Sequence, residues 1–314
     1  MDEPNERSNH ETPIPRGGGI AVVISAISFL YVAATPSSLL AATVGIAIAS
    51  FLDDKQGIAI KWRLLVQVFA VTLLFIPNGV VDTHFEGLIF QGVLNPFSDK
   101  LFAGLLLLGF MNLFNFMDGI DGLSGAQAVA IGVGLFILSF AVSGIRIIGI
   151  EGVVIAAATA GFLMLNWHPA KLFLGDVGSV ALGFLLGFLL LNLAASGHWL
   201  AAVILPAYYL IDGGFTFLKR LLTGQKVWQA HSQHAYQKAV RGGYPHDWVV
   251  IRISLLNIIL ITIALGTVLY PQDGIFLLSI AYGLTFVLWL WLLKAKKPAI
   301  QTIIPPQRND ALSA

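Results

Sequence analysis

The sequence has 314 residues, of which 57% are hydrophobic and only 11% are charged, and its mean hydropathy is +0.81. Because a soluble domain carries about 25% charged residues, most of this protein's surface is expected to face lipid. The chain contains no cysteine, which excludes disulfides and thiolate metal sites, and its net charge of +1 excludes a broad nucleic-acid-binding surface.

Apolar stretches along the chain predict an all-α, polytopic membrane bundle of about ten transmembrane helices. They cover 18–34, 38–52, 62–78, 100–116, 123–143, 148–165, 178–195, 199–217, 248–270 and 274–293. Several are shorter than the ~20 residues that a lone span prefers, as expected for helices buried in a bundle. We therefore expect one membrane-embedded domain over 1–297 and a disordered cytoplasmic tail over 298–314.

The distribution of basic residues predicts the orientation. With the N-terminus inside, only Lys100 and Arg146 of the 18 Lys and Arg residues fall in outside loops. Cytoplasmic loops of membrane proteins are enriched in Lys and Arg. This orientation places the segments 53–61, 115–122, 166–177 and 212–247 together on the cytoplasmic face.

Six aspartates at the ends of apolar stretches lie in these segments, although the whole chain has only 17 acidic residues. They are Asp53, Asp54, Asp118, Asp121, Asp176 and Asp212. Carboxylates beside a bilayer are costly unless they pair, face water or hold a cation. Oxygen ligands are those that Mg²⁺ prefers, especially when it binds together with phosphates. The pattern predicts a membrane-embedded, Mg²⁺-dependent enzyme that acts on a phosphorylated substrate.

The strongest single motif has polar residues at steps of three, at Asn112, Asn115, Asp118 and Asp121. If the segment is helical throughout, these four side chains form one polar stripe on an apolar helix. The alternative interpretation is a polar stripe that serves only helix packing.

Two glycine-rich segments are further candidates. Gly175 and Gly178 lie close to Asp176 on either side, which would allow the tight turn that a phosphate or metal loop needs. Asp176 could equally be the N-cap of the following helix. The triglycine 17–19 could bring the backbone close to a ligand or a neighbouring helix, or could simply be flexible.

Histidines are the remaining candidates. His231 and His234 lie in the longest inside loop among basic residues, which would suit diphosphate binding, although loop histidines are usually just solvated. No role is assigned to the other histidines, including His198 and His246.

Taken together, these motifs carry a family resemblance. In family order the chain has PIPRGGG, the Asp53–Asp54 pair, the segment from Asn112 to Leu123, NWHPAKLFLGDVGS and HSQHAYQ. From residue 4 to about 291 it resembles the polyprenyl-phosphate N-acetylhexosamine-1-phosphate transferases of glycosyltransferase family 4. Within the family it most resembles the bacterial enzymes that start O-antigen or related glycan synthesis. The phospho-N-acetylmuramoyl-pentapeptide transferase of peptidoglycan synthesis is the more distant alternative.

The resemblance implies a reaction and a location. An N-acetylhexosamine 1-phosphate would pass from a UDP-N-acetylhexosamine to undecaprenyl phosphate, with release of UMP. The enzyme would be a multi-pass protein of the bacterial inner membrane with its active site facing the cytoplasm. The implied cofactor is Mg²⁺, with Mn²⁺ as a substitute. The partners would be the two substrates and the lipid bilayer but no nucleic acid, and a homodimer is left open.

The resemblance also implies roles for individual residues. The catalytic set is Asp53, Asp54, Asp118, His231 and His234, and the metal ligands are Asp176 and Asp118. The substrate-binding set is Asn112, Asn115, Asp121, Asn166, Lys171 and Phe173, in which Phe173 would stack on the uracil.

The chain departs from the family pattern in two places. The family usually has another helix before the polar segment, so its first helix is expected to be missing here. The chain also has Ser232 where the family's loop often has arginine. Two interpretations from other classes compete with the enzyme: a membrane transporter, whose site would lie nearer the midplane, and an inactive, truncated scaffold.

Overall fold

The computed structural model describes residues 14–75, 88–227, 229 and 232–297. Within them lie twelve α-helices: α1 Gly18–Val32, α2 Ser37–Gln56, α3 Ile60–Phe75, α4 Pro96–Phe116, α5 Leu123–Leu138, α6 Arg146–Asn166, α7 Gly175–Leu193, α8 Trp199–Ile204, α9 Ala207–Leu222, α10 Ala235–Arg241, α11 His246–Leu269 and α12 Gly274–Lys294. A π-helical segment, Ala194–His198, joins α7 to α8, and a 3₁₀ turn, Pro271–Asp273, leads into α12.

Six helical stretches of this part of the chain are long and apolar enough to cross a membrane. They are Ser37–Gln56, Pro96–Phe116, Arg146–Asn166, Gly175–Ile204, His246–Leu269 and Pro271–Lys294. The protein is therefore an all-helical, multi-pass membrane protein. The count of ten spans and the cytoplasmic orientation stay predictions.

The helices correspond to the apolar stretches of the sequence, except at the predicted seventh and eighth spans, 178–195 and 199–217. The helical stretch Gly175–Ile204 joins the first of these to the start of the second, and the stretch 199–217 is divided into α8 and α9 at Leu205 and Pro206. Proline lacks the backbone N–H that would continue the helix, and its ring clashes with the preceding turn. The end of the predicted third span, 76–78, and the predicted tail, 298–314, lie outside the described residues.

Helix α7 is the centre of the bundle and is almost wholly buried. It packs mainly against α2, α4 and α1. The approach to α4 is very close at Gly183, where an added Cβ would lie 2.8 Å from the Cα of Met111. A larger residue at Gly183 would therefore push α4 away from the central helix.

The chain direction brings several helix ends together. The C-terminal ends of α2, α4 and α6 lie beside the N-terminal ends of α1, α7 and α11, as the contacts described below show. We call this region the acidic end of the bundle. It comprises residues 14–19, 53–63, 115–124, 166–179 and His246.

Candidate active site

Arg63, in the first turn of α3, joins two of the predicted acids. Its Nη1 lies 2.7 Å from Asp53 Oδ2, and its Nη2 lies 3.1 Å from Asp176 Oδ2. The other oxygen of Asp53 accepts a hydrogen bond of 2.7 Å from the backbone N–H of Ile58. One guanidinium thus connects the end of α2 with the start of α7.

Asp54 lies against the N-terminus of α7. Its carboxylate accepts a hydrogen bond from the backbone N–H of Val177. Gly175 has a φ of +71°, and a Cβ added there would lie 3.1 Å from Asp54 Oδ2. Arg16 is a further cation, with Nη1 3.9 Å from Asp54 Oδ1. A negative charge at the C-terminus of α2 is therefore compensated by the positive end of α7 and by an arginine.

The predicted polar stripe is interrupted, which corrects the assumption of a continuous helix. Helix α4 ends at Phe116, so Asp118 and Asp121 lie in the loop 117–122. Asn112 is directed elsewhere, because its amide nitrogen donates a 2.8 Å hydrogen bond to Gln67 Oε1 of α3. The four polar residues spaced at steps of three therefore do not form one stripe, and they contact different parts of the bundle.

Asn115 and Asp118 do reach the acidic end. Asn115 hydrogen-bonds to the carboxylate of Asp176, and its Oδ1 accepts a 3.1 Å hydrogen bond from Ser179 Oγ. Burial raises the pKa of Asp118 to about 7, and a hydrogen bond with Ser124 partly opposes this shift. The structure therefore brings together Asp53, Asp54, Asn115, Asp118 and Asp176 from α2, α4, the following loop and α7.

Asp121 lies in a separate histidine network at the same end. Its Oδ2 lies 2.7 Å from His168 Nδ1 and 3.2 Å from His246 Nδ1, and it accepts a 3.1 Å hydrogen bond from the backbone N–H of Ala170. Burial alone would raise the pKa of Asp121, but the hydrogen bonds with His246 and His168 outweigh it and lower the pKa. No role is predicted for His246 from the sequence, because it lacks the second histidine and the basic neighbours of His231 and His234, and it lies 125 residues from Asp121.

Asn166 connects the two loops that contain Asp121 and Phe173 of the predicted substrate-binding set. Its Oδ1 accepts a 2.9 Å hydrogen bond from Gly122 N–H, and its amide donates a 2.9 Å hydrogen bond to the carbonyl of Leu172. Phe173 is half-buried, whereas Lys171 is exposed. Asp121, Asn166 and Phe173 are thus brought to neighbouring loops, and their binding roles stay predictions.

The triglycine segment makes a close contact with α7. The backbone N–H of Gly18 donates to the carbonyl of Phe173, and that of Gly19 donates to the carbonyl of Leu174, both at 2.9 Å. A Cβ at Gly19 would overlap the backbone of Gly178. Of the alternatives raised by the sequence, close approach to a neighbouring helix is the observed one, and it holds Arg16 beside Asp54.

Helix α10 packs beside the loop 117–122. The hydroxyl of Tyr236 donates a 3.4 Å hydrogen bond to the carbonyl of Phe116. His234 is buried, stacks on Tyr236, and has its Nδ1 3.6 Å from Asp212 Oδ1. His231 lies outside the described residues. Asp212, to which no role was given, is fully buried and accepts a hydrogen bond from the backbone N–H of Ala235.

A further cation, Arg241, lies beside Ser232, where the sequence departs from the family's loop. The guanidinium of Arg241 donates hydrogen bonds to the side-chain oxygen and the carbonyl of Ser232. The loop therefore has a positive charge in contact with Ser232, which stands where the family's loop often has arginine.

Five residues of the acidic end have donor atoms that fit a hard divalent cation. Asp53, Asp54, Asp176, Asp118 and Asn115 offer only carboxylate and amide oxygens, the ligand type of Mg²⁺ and Mn²⁺. The group Asp121, His168 and His246 has ligand atoms within 4.8 Å of one another, but two of its three ligands are imidazoles. Such a set suits softer metals than Mg²⁺, and the hydrogen bonds described above already satisfy it.

An apolar cavity of about 560 Å³ lies away from these carboxylates. It is formed mainly by the middle of α4, the later half of α7, α8 and the segment 89–93, with Leu107, Gly187 and Trp199 among its lining residues. Asp118 follows the C-terminal end of α4, and Asp176 lies at the N-terminal end of α7. The cavity and the carboxylates therefore occupy different levels of the bundle.

Comparison with known proteins identifies similar sequences. The sequence model of "Glycosyl transferase family 4" matches residues 36–194. A probable undecaprenyl-phosphate N-acetylglucosaminyl 1-phosphate transferase of Bacillus subtilis is 28% identical, over 82% of this chain and 75% of the relative. A decaprenyl-phosphate N-acetylglucosaminephosphotransferase of Mycobacterium tuberculosis is 26% identical, over 86% of this chain and 76% of the relative. A phospho-N-acetylmuramoyl-pentapeptide-transferase of Wolbachia is 30% identical, but over only 55% of this chain and 58% of the relative.

Proposed function

The chain belongs to glycosyl transferase family 4, and we propose that it transfers an N-acetylhexosamine 1-phosphate from a UDP-sugar to undecaprenyl phosphate. The single observation that carries this proposal is the acidic end itself. Carboxylates from α2, α7 and the loop after α4 converge there around Arg63 and Arg16, at one end of an apolar helix bundle. Among the relatives that align over most of this chain, two have names that include undecaprenyl or decaprenyl phosphate and N-acetylglucosamine.

The proposed reaction is a phosphoryl transfer. An oxygen of the lipid phosphate attacks the sugar-bearing β-phosphorus, and the bond from this phosphorus to the bridging oxygen of UMP breaks. UMP leaves with that oxygen, and the sugar remains on a polyprenyl diphosphate. A phosphate monoester with a second pKa near 6 is mostly dianionic at pH 7, so removal of a proton by the enzyme is not required.

The residues of the chain then have two tasks: to hold two anions in line and to neutralise their charge. Asp53, Asp54, Asp118 and Asp176 would hold Mg²⁺, which would supply charge neutralisation at the phosphate oxygens. Arg63 and Arg16 provide positive charge beside these carboxylates. The loop 117–122 and the segment 166–174 would bind the nucleotide, and the product would start O-antigen or another cell-envelope glycan on the cytoplasmic face.

The test is UMP release by the purified protein with undecaprenyl phosphate and Mg²⁺. The panel of donors is UDP-N-acetylglucosamine, UDP-linked 6-deoxy-N-acetylhexosamines and UDP-N-acetylmuramoyl-pentapeptide. Release that requires both the lipid and Mg²⁺, and that disappears in Asp176→Asn, would support the proposal and identify the sugar. No release with any donor from a protein that melts cooperatively would contradict it and favour a transporter or scaffold.

A further inference from the structure

Arg63 occupies the position between two carboxylates of the proposed metal site. Its two terminal nitrogens contact Asp53 at 2.7 Å and Asp176 at 3.1 Å. These two carboxylates come from different helices, α2 and α7. A guanidinium and a divalent cation both bind carboxylate oxygens directly, so they compete for the same lone pairs.

We propose that Arg63 is an exchangeable counter-ion: it binds Asp53 and Asp176 in the metal-free protein, leaves them when a divalent cation binds, and then contacts the diphosphate of the nucleotide sugar. This inference rests on the proposed function, because it assumes that these carboxylates bind the metal and that a nucleotide diphosphate binds beside them.

The contacts of Arg63 are suited to exchange. The side chain of Arg63 is 28% exposed and that of Asp176 is 31% exposed, so water reaches this ion pair, whereas the side chain of Asp53 is only 10% exposed. The partly exposed pair with Asp176 contributes little net stability and breaks at low cost, and direct ligation of a divalent cation would replace the contact with Asp53. The backbone N–H of Arg63 is bonded to the carbonyl of Ala59, which keeps the Cα in the first turn of α3 while the side chain moves. The planar guanidinium matches phosphate as well as carboxylate geometry.

The charge balance of the site explains how this exchange would favour binding of the diphosphate. Asp53, Asp54, Asp118 and Asp176, the four carboxylates of the proposed metal site, carry four negative charges when all are ionised, and Arg16 and Arg63 carry two positive charges, which leaves −2 without metal. Adding a divalent cation changes the sum to 0. The same group of residues would therefore repel a diphosphate in the metal-free state and no longer repel it in the metal-bound state. Release of Arg63 would place one of these positive charges on the substrate.

The first measurement is binding of Mn²⁺ alone to the purified protein in detergent, followed by electron paramagnetic resonance. Arg63→Gln should bind Mn²⁺ about tenfold more tightly than wild type, since the ion pairs of Arg63 with Asp53 and Asp176 no longer have to be broken. Arg252→Gln is the matched control, because Arg252 lies over the ring of Trp248 and donates to its carbonyl. Its Mn²⁺ affinity should equal that of wild type. Equal or weaker Mn²⁺ binding by Arg63→Gln would overturn the inference.

The second measurement is the coupling between metal and diphosphate, read from UDP affinity with and without Mn²⁺. Wild type should bind UDP several-fold more tightly with Mn²⁺, and Arg63→Gln should lose most of this gain. If the gain is the same in both proteins, Arg63 does not move to the diphosphate. Because coupling free energies are reciprocal, Mn²⁺ affinity measured with and without UDP must give the same factor.

Two further variants separate the possible failures. Asp176→Asn should abolish Mn²⁺ binding; if neither it nor wild type binds Mn²⁺ while UMP release proceeds without metal, the proposed metal site itself is wrong. If metal-dependent UMP release holds but Arg63→Gln leaves Mn²⁺ affinity unchanged, only the role of Arg63 is wrong. Should Arg63→Gln not fold, Arg63→Lys carries the test. A single ammonium does not reproduce the two-armed contact, so Mn²⁺ binding should still tighten, by a smaller factor.

Discussion

The Nδ1 atom of His246 lies 3.2 Å from Oδ2 of Asp121, and this contact joins the first residue of α11 to the loop that follows α4. His168 contacts the same oxygen from a third segment of the chain. A single carboxylate thus connects three parts of the acidic end, and its ionisation supports the geometry of the loop in which Asp118 also lies.

The first prediction concerns this contact and its pH dependence. The lowered pKa of Asp121 means that its ionised form stabilises the fold above the ordinary Asp pKa of about 4. That contribution is lost as the pH falls through the lower folded-state pKa. His246→Phe removes one hydrogen-bonding partner and raises this pKa, so it should cost about 2 kcal/mol of unfolding free energy at pH 7. The melting temperature of the variant should approach that of wild type as the pH falls below about 4.

His246→Gln is the control for that experiment, because its amide can donate to Asp121. It should recover most of the stability at pH 7. A stability gap for His246→Phe that is the same at pH 7 and at pH 3.5 would show that the ring is needed only for packing.

A second prediction tests the approach of α1 to α7. A Cβ at Gly19 overlaps the backbone of Gly178, whereas a Cβ at Gly45, in α2, has no neighbour within 4 Å. Gly19→Ala should therefore cost about 1–3 kcal/mol by overpacking and reduce UMP release, because it displaces the first turn of α7 and Asp176. Gly45→Ala should be neutral or slightly stabilising in thermal melting. Equal behaviour of the two variants would contradict the close approach.

A third prediction concerns Asp212, which anchors the start of α10. Its carboxylate is fully buried and accepts hydrogen bonds from Ala235 N–H, Tyr208 Oη and Trp289 Nε1. Asp212→Leu leaves these donors without an acceptor and should cost about 3 kcal/mol or more. Asp212→Asn keeps one acceptor oxygen and should cost less. The measurements are the melting temperature and the UMP release of both variants. A melting temperature of Asp212→Leu equal to that of wild type would show that the stability of the protein does not depend on this network.

The fourth prediction separates packing from substrate binding at Asn112, which was assigned to the substrate by resemblance. Its amide donates to Gln67 across α3 and α4. Asn112→Leu alone should destabilise the protein, because Gln67 then loses its partner. The double variant Asn112→Leu with Gln67→Leu should recover most of the stability, since replacing both partners by apolar groups is nearly neutral. UMP release by the double variant should stay close to wild type, and loss of release would support the predicted role of Asn112 in substrate binding.

The sequence predicted the helical architecture and most of the acidic end from local information. Runs of apolar residues long enough to span a membrane are visible directly, because each helix must satisfy its backbone hydrogen bonds within its own segment. The acids at the ends of these runs, Asp53, Asp54, Asp118 and Asp176, can be recognised because charged residues are rare in such an apolar chain. The positive-inside pattern placed all four on one predicted face.

The tertiary structure alone decided which side chains meet. In the sequence nothing distinguishes Arg63 from the other basic residues, but in the structure α3 places it between Asp53 and Asp176. His246 had no neighbour of interest in the sequence, yet it contacts Asp121 across 125 residues. The periodic spacing of Asn112 and Asp121 suggested one surface, but the end of α4 at Phe116 divided it. Periodicity reports a helix face only while the helix continues, and contacts between distant segments depend on packing that no local pattern encodes.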